Sequence, residues 1–299
     1  MRTTFIQELC LQARLHPEIF LVVGDLGYSV VEPFADEFPD RFLNAGIAEQ
    51  NMTGVAAGLA AEGYHVFTYS IANFPTFRCL EQIRNDIAYH RLPVTVVSVG
   101  AGLAYGSLGY SHHAVQDIGI LRQIPEMSIL SPADPGEARA CTQWLAAHPC
   151  PSYLRIGKAG EARLHETGEL RAGPLELVSG AGDCAIVATG SVLKSALDAL
   201  PALAEKGIMP AVYSLPMLQP LCAADLTPLA RYRTVFSLEE HLLAGGLASL
   251  LRENLPEGVR LRAMALPDSV LGVVGGQKAL WARAGLDAPS VARCIEQSV

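Results

Sequence analysis

Between Pro93 and Val99 the chain reads Pro-Val-Thr-Val-Val-Ser-Val, a run dominated by β-branched residues and free of charge. Such a run suits a strand buried on both faces, and strands of that kind belong to mostly parallel sheets covered by helices. The remainder of the chain obeys the same rule. Residues 19–23, 65–69 and 127–130 read as further strands, and residues 153–158 end the first domain. Helical spacing separates them, at Phe5, Leu9 and Ala13 and then over residues 52–61, 80–91 and 117–123. After Gly182 the alternation restarts, with strands predicted at 184–188, 210–214, 235–240 and 260–266 and helices at 192–204 and 245–255. Alternation of this type predicts two three-layer α/β domains with mostly parallel sheets, residues 1–160 and 181–299. The Gly- and charge-rich stretch 161–180 reads as an exposed connection between them.

Composition narrows the function classes. With 299 residues and 50% hydrophobic content the chain can bury a large core, and with a formal net charge of -8 and no basic cluster it has no electrostatic footprint for nucleic acid or an acidic membrane. The seven cysteines form no CxxC pair, so they read as small core residues in a reducing compartment and not as zinc ligands or a disulfide framework. Charges at Glu8 and Arg14 interrupt the first amphipathic pattern, unlike a signal peptide, and no apolar run reaches membrane-spanning length. A soluble, cytoplasmic protein is expected.

Four stretches are candidates for chemistry. In Asn44-Ala45-Gly46-Ile47-Ala48-Glu49-Gln50-Asn51-Met52, Glu49 opens a helix rich in glycine and alanine, a place where the exposed amides favour a carboxylate whether or not it has another task. Gly24-Asp25-Leu26-Gly27-Tyr28-Ser29 follows a predicted strand at the edge where open α/β sheets carry ligand loops; a plain glycine turn with Asp25 bonding its own backbone fits as well. Phe74 and Phe77 stand after the next strand, where aromatic residues most often serve the core. Gly100 to His113 is dense in glycine, lacks the lysine of a phosphate loop, and offers His112 as a group able to transfer protons near neutral pH.

At these residues the chain resembles the C-terminal half of the transketolase family of thiamine diphosphate enzymes. Ile47-Ala48-Glu49-Gln50-Asn51 matches the family's pyrimidine-binding motif, and Glu81-Gln82-Ile83-Arg84 fits a second family run. The resemblance implies that Glu49 is the catalytic carboxylate that bonds the aminopyrimidine ring and promotes its imino tautomer. It also implies that Phe74 and Phe77 form the apolar slot for that ring, with Ile71 where ordinary members often have another aromatic residue. Asp25 then lies near the thiazolium, Ser29 near a substrate phosphate, and His112 near the reacting carbonyl. Arg155 matches an arginine that grips substrate phosphate, though a merely solvated arginine suits the local sequence equally. Three further positions depart from the family: His113, expected among the substrate contacts, replaces a glutamine, Leu108 an acidic residue that contacts a substrate hydroxyl, and Gly100 a phosphate-contacting histidine. The substrate is therefore expected to differ from the ordinary pentose and hexose phosphates. Glu239-Glu240-His241 and Gly245-Gly246 match the family's C-terminal domain, where packing and subunit contact are implied.

The family's diphosphate motif, Gly-Asp-Gly with a downstream Asn, has no counterpart in this sequence; Asp25 and Asp183 each follow a glycine without beginning it. No metal ligand is assigned to this chain. The resemblance thus implies the second subunit of a split transketolase-like enzyme, transferring a two-carbon ketol unit from a ketose donor to an aldehyde or ketone acceptor. The partner, an N-terminal-half subunit, would hold the diphosphate and its Mg2+ or Ca2+, in an α2β2 assembly acting on sugars or sugar phosphates. A 1-deoxy-D-xylulose-5-phosphate synthase-like half, a 2-oxo acid dehydrogenase β subunit and a non-catalytic regulatory subunit are the competing expectations.

Overall fold

The computed structural model describes residues 1–298. Its first sheet takes strands β1 (Ile19–Val23), β2 (Phe42–Asn44), β3 (His65–Ile71), β4 (Val94–Val99), β5 (Ser128–Leu130) and β6 (Ser152–Ile156) from the first half of the chain. The second half supplies β7 (Leu175–Val178), β8 (Cys184–Thr189), β9 (Ala211–Ser214), β10 (Met217–Gln219), β11 (Thr234–Leu242) and β12 (Arg260–Leu266). The strand orders are β10-β5-β6-β4-β3-β1-β2 and β12-β11-β8-β9-β7. All pairings are parallel except those of the edge strands β10 and β7, so both domains have the mostly parallel α/β architecture expected.

β4 occupies the middle of the first sheet and every one of its residues is buried, as its composition requires. One face of the sheet packs against the Arg2–Leu15 and Pro135–Ala147 helices, through Phe5, Leu9, Phe67, Val97 and Leu145. Asp134 caps the second of these helices, its Oδ1 accepting the Glu137 amide at 2.8 Å. On the other face Phe20 and Val96 meet Met52 and Ile83 of the covering helices in an apolar cluster that continues into Val187, Tyr213 and Leu247 of the second domain. Burial in this shared cluster holds the domains together.

Two elements differ from expectation at the sheet edges. Part of the stretch expected to be a bare connection forms β7, whose Leu175 is 40% exposed and whose Glu176 faces solvent, so no apolar pattern marks it. β10 crosses from the second half of the chain to pair Met217 with Leu130 on the first sheet. The 80–91 segment is helical, but its turns widen into a π-helix over Ile83–Ala88. The Gln277–Ala284 and Ala288–Glu296 helices were not marked by the sequence pattern and join the apolar cluster of the second sheet.

His65 opens β3 with a fully enclosed ring, 4.7 Å from the Phe67 ring and without a hydrogen-bond partner for either nitrogen. Burial pushes its pKa down to about 4. A histidine depressed in the folded state stabilises the fold fully above its unfolded pKa, near 6.5, and that contribution is lost as pH falls from there through about 4. The expected loss is about 3 kcal/mol by linkage, and His65→Phe should flatten it. Urea denaturation of both proteins between these pH values checks this; parallel acid curves would contradict it.

Candidate active site

Because β1, β2, β3 and β4 run parallel, the loops that leave their C-terminal ends lie along one edge of the first sheet. The four stretches singled out in the sequence are these loops. Glu49 begins the Glu49–Ala61 helix after β2, and its side chain is only 6% exposed. It packs beneath Gly24, after β1, beside Met52 Sδ and Ser70 Oγ. The helix's first amides and its dipole favour the carboxylate from one side. From the other, Arg78 Nη1 donates to both carboxylate oxygens at 3.2 Å.

The aromatic segment is aimed by its backbone. Ala72 follows β3 in the left-handed region at φ 40, a costly conformation for alanine. Its amide donates to Val99 O at 2.8 Å and its carbonyl accepts from Ser98 Oγ at 2.8 Å, so β4 holds the turn in place. Asn73 Nδ2 then donates to His113 O at 2.9 Å and Ser111 O at 3.2 Å, tying this segment to the glycine loop. As a result Phe74 meets His112 edge-on, with ring centroids 5.2 Å apart. Phe74, Phe77, Arg78, Tyr110, Ser111, Gln116 and Asn73 line an open pocket of about 300 Å³. Beside it lies a second, of about 440 Å³, lined by Ile47 to Asn51 and again Arg78.

His112 Nδ1 lies 3.0 Å from Ser111 Oγ, and burial together with the positive field of Arg78 lowers its pKa, so it is neutral at pH 7 and able to accept a proton. Asp25 is left-handed at φ 54; its Oδ1 accepts from Tyr28 Oη at 2.9 Å and Asn44 Nδ2 at 3.1 Å, bonds that hold its carboxyl below the usual range. Ser29, also left-handed at φ 62, is exposed on the same loop, its amide donating to Glu32 Oε1 at 2.7 Å.

Two expected substrate contacts stand apart from this surface. Arg155 is 2% exposed: its Nε donates to Asp117 Oδ2 at 2.7 Å, and its Nη2 to Ala114 O at 2.6 Å and Glu240 O at 3.0 Å. A guanidinium so engaged in the seam between domains neither grips a phosphate nor is solvated. The His113 ring is wholly enclosed, both nitrogens lacking a partner, and burial lowers its pKa.

Conversely, Lys158 and Arg78 belong to the site edge although the motifs did not mark them. Lys158 is exposed just beyond β6, with Nζ 4.8 Å over the Tyr105 ring. That ring fills the space above Gly100, where at φ +101 a Cβ would lie 2.2 Å from Tyr105 Cδ2, and its centroid is 6.3 Å from that of His112. Their only signal in the sequence was placement one or two residues beyond a strand end or aromatic run. Among the described residues, no three His, Cys, Asp or Glu side chains come together as a metal set. No described helix is long and apolar enough to cross a membrane.

Family models for the transketolase pyrimidine binding domain and the transketolase C-terminal domain match residues 1–160 and 173–291. The chain belongs to the transketolase family. It is 33% identical over 98% of its length, and 95% of the relative's, to an apulose-4-phosphate transketolase subunit of Phocaeicola vulgatus. A solved split-gene transketolase, an inactive beta4 tetramer, matches with a TM-score of 0.87 and 32% identity over 99% of this chain and 97% of its own. A 1-deoxy-D-xylulose-5-phosphate synthase 1 of Geobacter sulfurreducens is 36% identical over 88% of the chain, which spans 42% of that relative. This transketolase subunit is thus of the split type, a transferase component that works with a partner subunit. The family implies dependence on thiamine diphosphate. The residues present fit one end of that cofactor: a buried carboxylate next to the pocket lined by Phe74 and Phe77 suits the aminopyrimidine.

Proposed function

We propose that this subunit supplies the aminopyrimidine half of a thiamine diphosphate site whose diphosphate and divalent cation, Mg2+ or Ca2+, are held by an N-terminal-half partner in a cytoplasmic α2β2 enzyme. The observation that carries this is the wall formed by Glu49 and Phe74, joined through Arg78, at one sheet edge. When bound, the cofactor supplies the electron sink for transfer of a two-carbon ketol unit between sugars. Glu49 would hold a proton at the aminopyrimidine ring nitrogen. Phe74 and Phe77 would orient the ring and exclude water from it. His112, neutral and in contact with Phe74, would move a proton at the substrate's carbonyl oxygen. Asp25 and Ser29 would line the thiazolium and substrate side of the same edge.

The substrate end follows from Lys158 and Leu108. Among the described residues Lys158 has no carboxylate partner, whereas Arg155 is consumed inside, so Lys158 is the cation we assign to a terminal anionic group such as a phosphate. Leu108 is 56% exposed and cannot bond a sugar hydroxyl, which favours an acceptor lacking a hydroxyl there. The relative named for apulose 4-phosphate accords with a phosphorylated sugar. Lys158→Met should raise KM for a sugar phosphate by roughly tenfold, the loss of one charged hydrogen bond, with kcat little changed. Equal effects on charged and uncharged sugars would contradict the assignment.

Reconstitution tests the whole reading. The subunit mixed with its partner, thiamine diphosphate and magnesium should transfer a two-carbon unit from a ketose, while the chain alone shows no turnover. The match to the synthase favours one other outcome, decarboxylation of pyruvate with release of carbon dioxide, which product analysis separates from ketol transfer.

A further inference from the structure

Of the residues that line the Glu49 pocket and the Phe74 pocket, Arg78 alone belongs to both, and its side chain is the partition between them. It meets two surfaces at once. Its Nη1 bonds both oxygens of Glu49 at 3.2 Å, and its Cζ sits 3.9 Å from the centroid of the Phe74 ring, covering that face. An aminopyrimidine ring makes the same two demands, a hydrogen bond to a buried carboxylate and a stacking face, and it cannot share them with a guanidinium. Arg78 is also loosely held. Its side chain is 50% exposed and, among the described residues, Glu49 is its sole hydrogen-bond acceptor, in contrast to Arg155 with its three partners in the interior.

We propose that Arg78 is a placeholder: in the unloaded subunit it occupies the aminopyrimidine slot, and it swings out to merge the two pockets when the cofactor enters. This rests on the reading of Glu49 and Phe74 as that slot. The arrangement answers a physical problem. A carboxylate this buried is costly without a partner, and before assembly the cofactor is not there to provide one. Once the cofactor is in place the guanidinium must leave, because a carboxylate engaged in an ion pair is a poor partner for a proton on a ring nitrogen.

The test is calorimetry and stopped-flow binding of thiamine diphosphate with magnesium to the assembled complex, comparing wild type, Arg78→Lys and Arg78→Met. A half-exposed ion pair and a cation over a ring are both weak contacts, so Arg78→Met is expected to bind the cofactor roughly three- to tenfold faster and tighter, with Arg78→Lys between. In the wild-type complex the NMR resonance of the Arg78 Nε–H group should shift on cofactor binding, an observation that needs no variant to fold. Unchanged or weaker binding by Arg78→Met, or an Nε–H resonance that does not move, overturns the proposal. If the wild-type complex binds no thiamine diphosphate at all, the functional reading fails and takes this proposal with it.

Discussion

Glu49→Gln in the reconstituted complex is expected to lower turnover by about a hundredfold or more while changing cofactor affinity by less than about tenfold. A positioned group that transfers a proton contributes on the order of 10² to 10⁴ in rate. A single neutral hydrogen bond contributes only about 0.5 to 1.5 kcal/mol to binding. Glutamine keeps the shape of the side chain beneath Gly24 and the dipole of the Glu49–Ala61 helix, so the slot survives while the proton-holding group is gone. Arg78, half exposed, returns to solvent at little cost when its partner is neutral. Calorimetric dissociation constants set against kcat separate the two roles. Hydrogen–deuterium exchange at the thiazolium carbon gives a third readout, and exchange at the wild-type rate in Glu49→Gln would remove Glu49 from proton control.

What could be read from the sequence was whatever rests on local pattern. The strand over residues 94–99 was legible because a doubly buried strand excludes charge and favours β-branched residues, and the loops after β1, β2, β3 and β4 because clustered glycines and aromatics at strand ends mark ligand edges. Edge strands were not. β7 is bonded on one side only and leaves Leu175 and Glu176 to solvent, so neither burial nor alternation disciplines its residues. Burial of a charge was also invisible, since it depends on partners remote in the chain: Arg155 finds Asp117 38 residues away and Glu240 85 residues away. Lys158, only three residues further on, escaped notice because nothing local distinguishes a lysine at a ligand edge from any exposed one.

Arg155→Met is expected to cost about 3 to 5 kcal/mol of stability, because it leaves the carboxylate of a wholly buried Asp117 without its countercharge. Tyr153 Oη, 2.6 Å from Asp117 Oδ2, remains but carries no charge to offset it. The damage should spread, since Arg155 Nη2 joins Ala114 O, at the end of the glycine loop that carries His112, to Glu240 O of the second domain. That junction has a second strut in Glu240 Oε1, which accepts the Leu103 amide at 2.8 Å, so the loop should loosen before the domains part. Replacing both charges, Arg155→Met with Asp117→Leu, should recover part of the loss, because the largest penalty is the stranded ion and not the missing pair. Urea denaturation of the two single variants and the double variant measures this directly. A single variant that melts like wild type yet loses affinity for sugar phosphates would return Arg155 to the substrate and remove it from the seam.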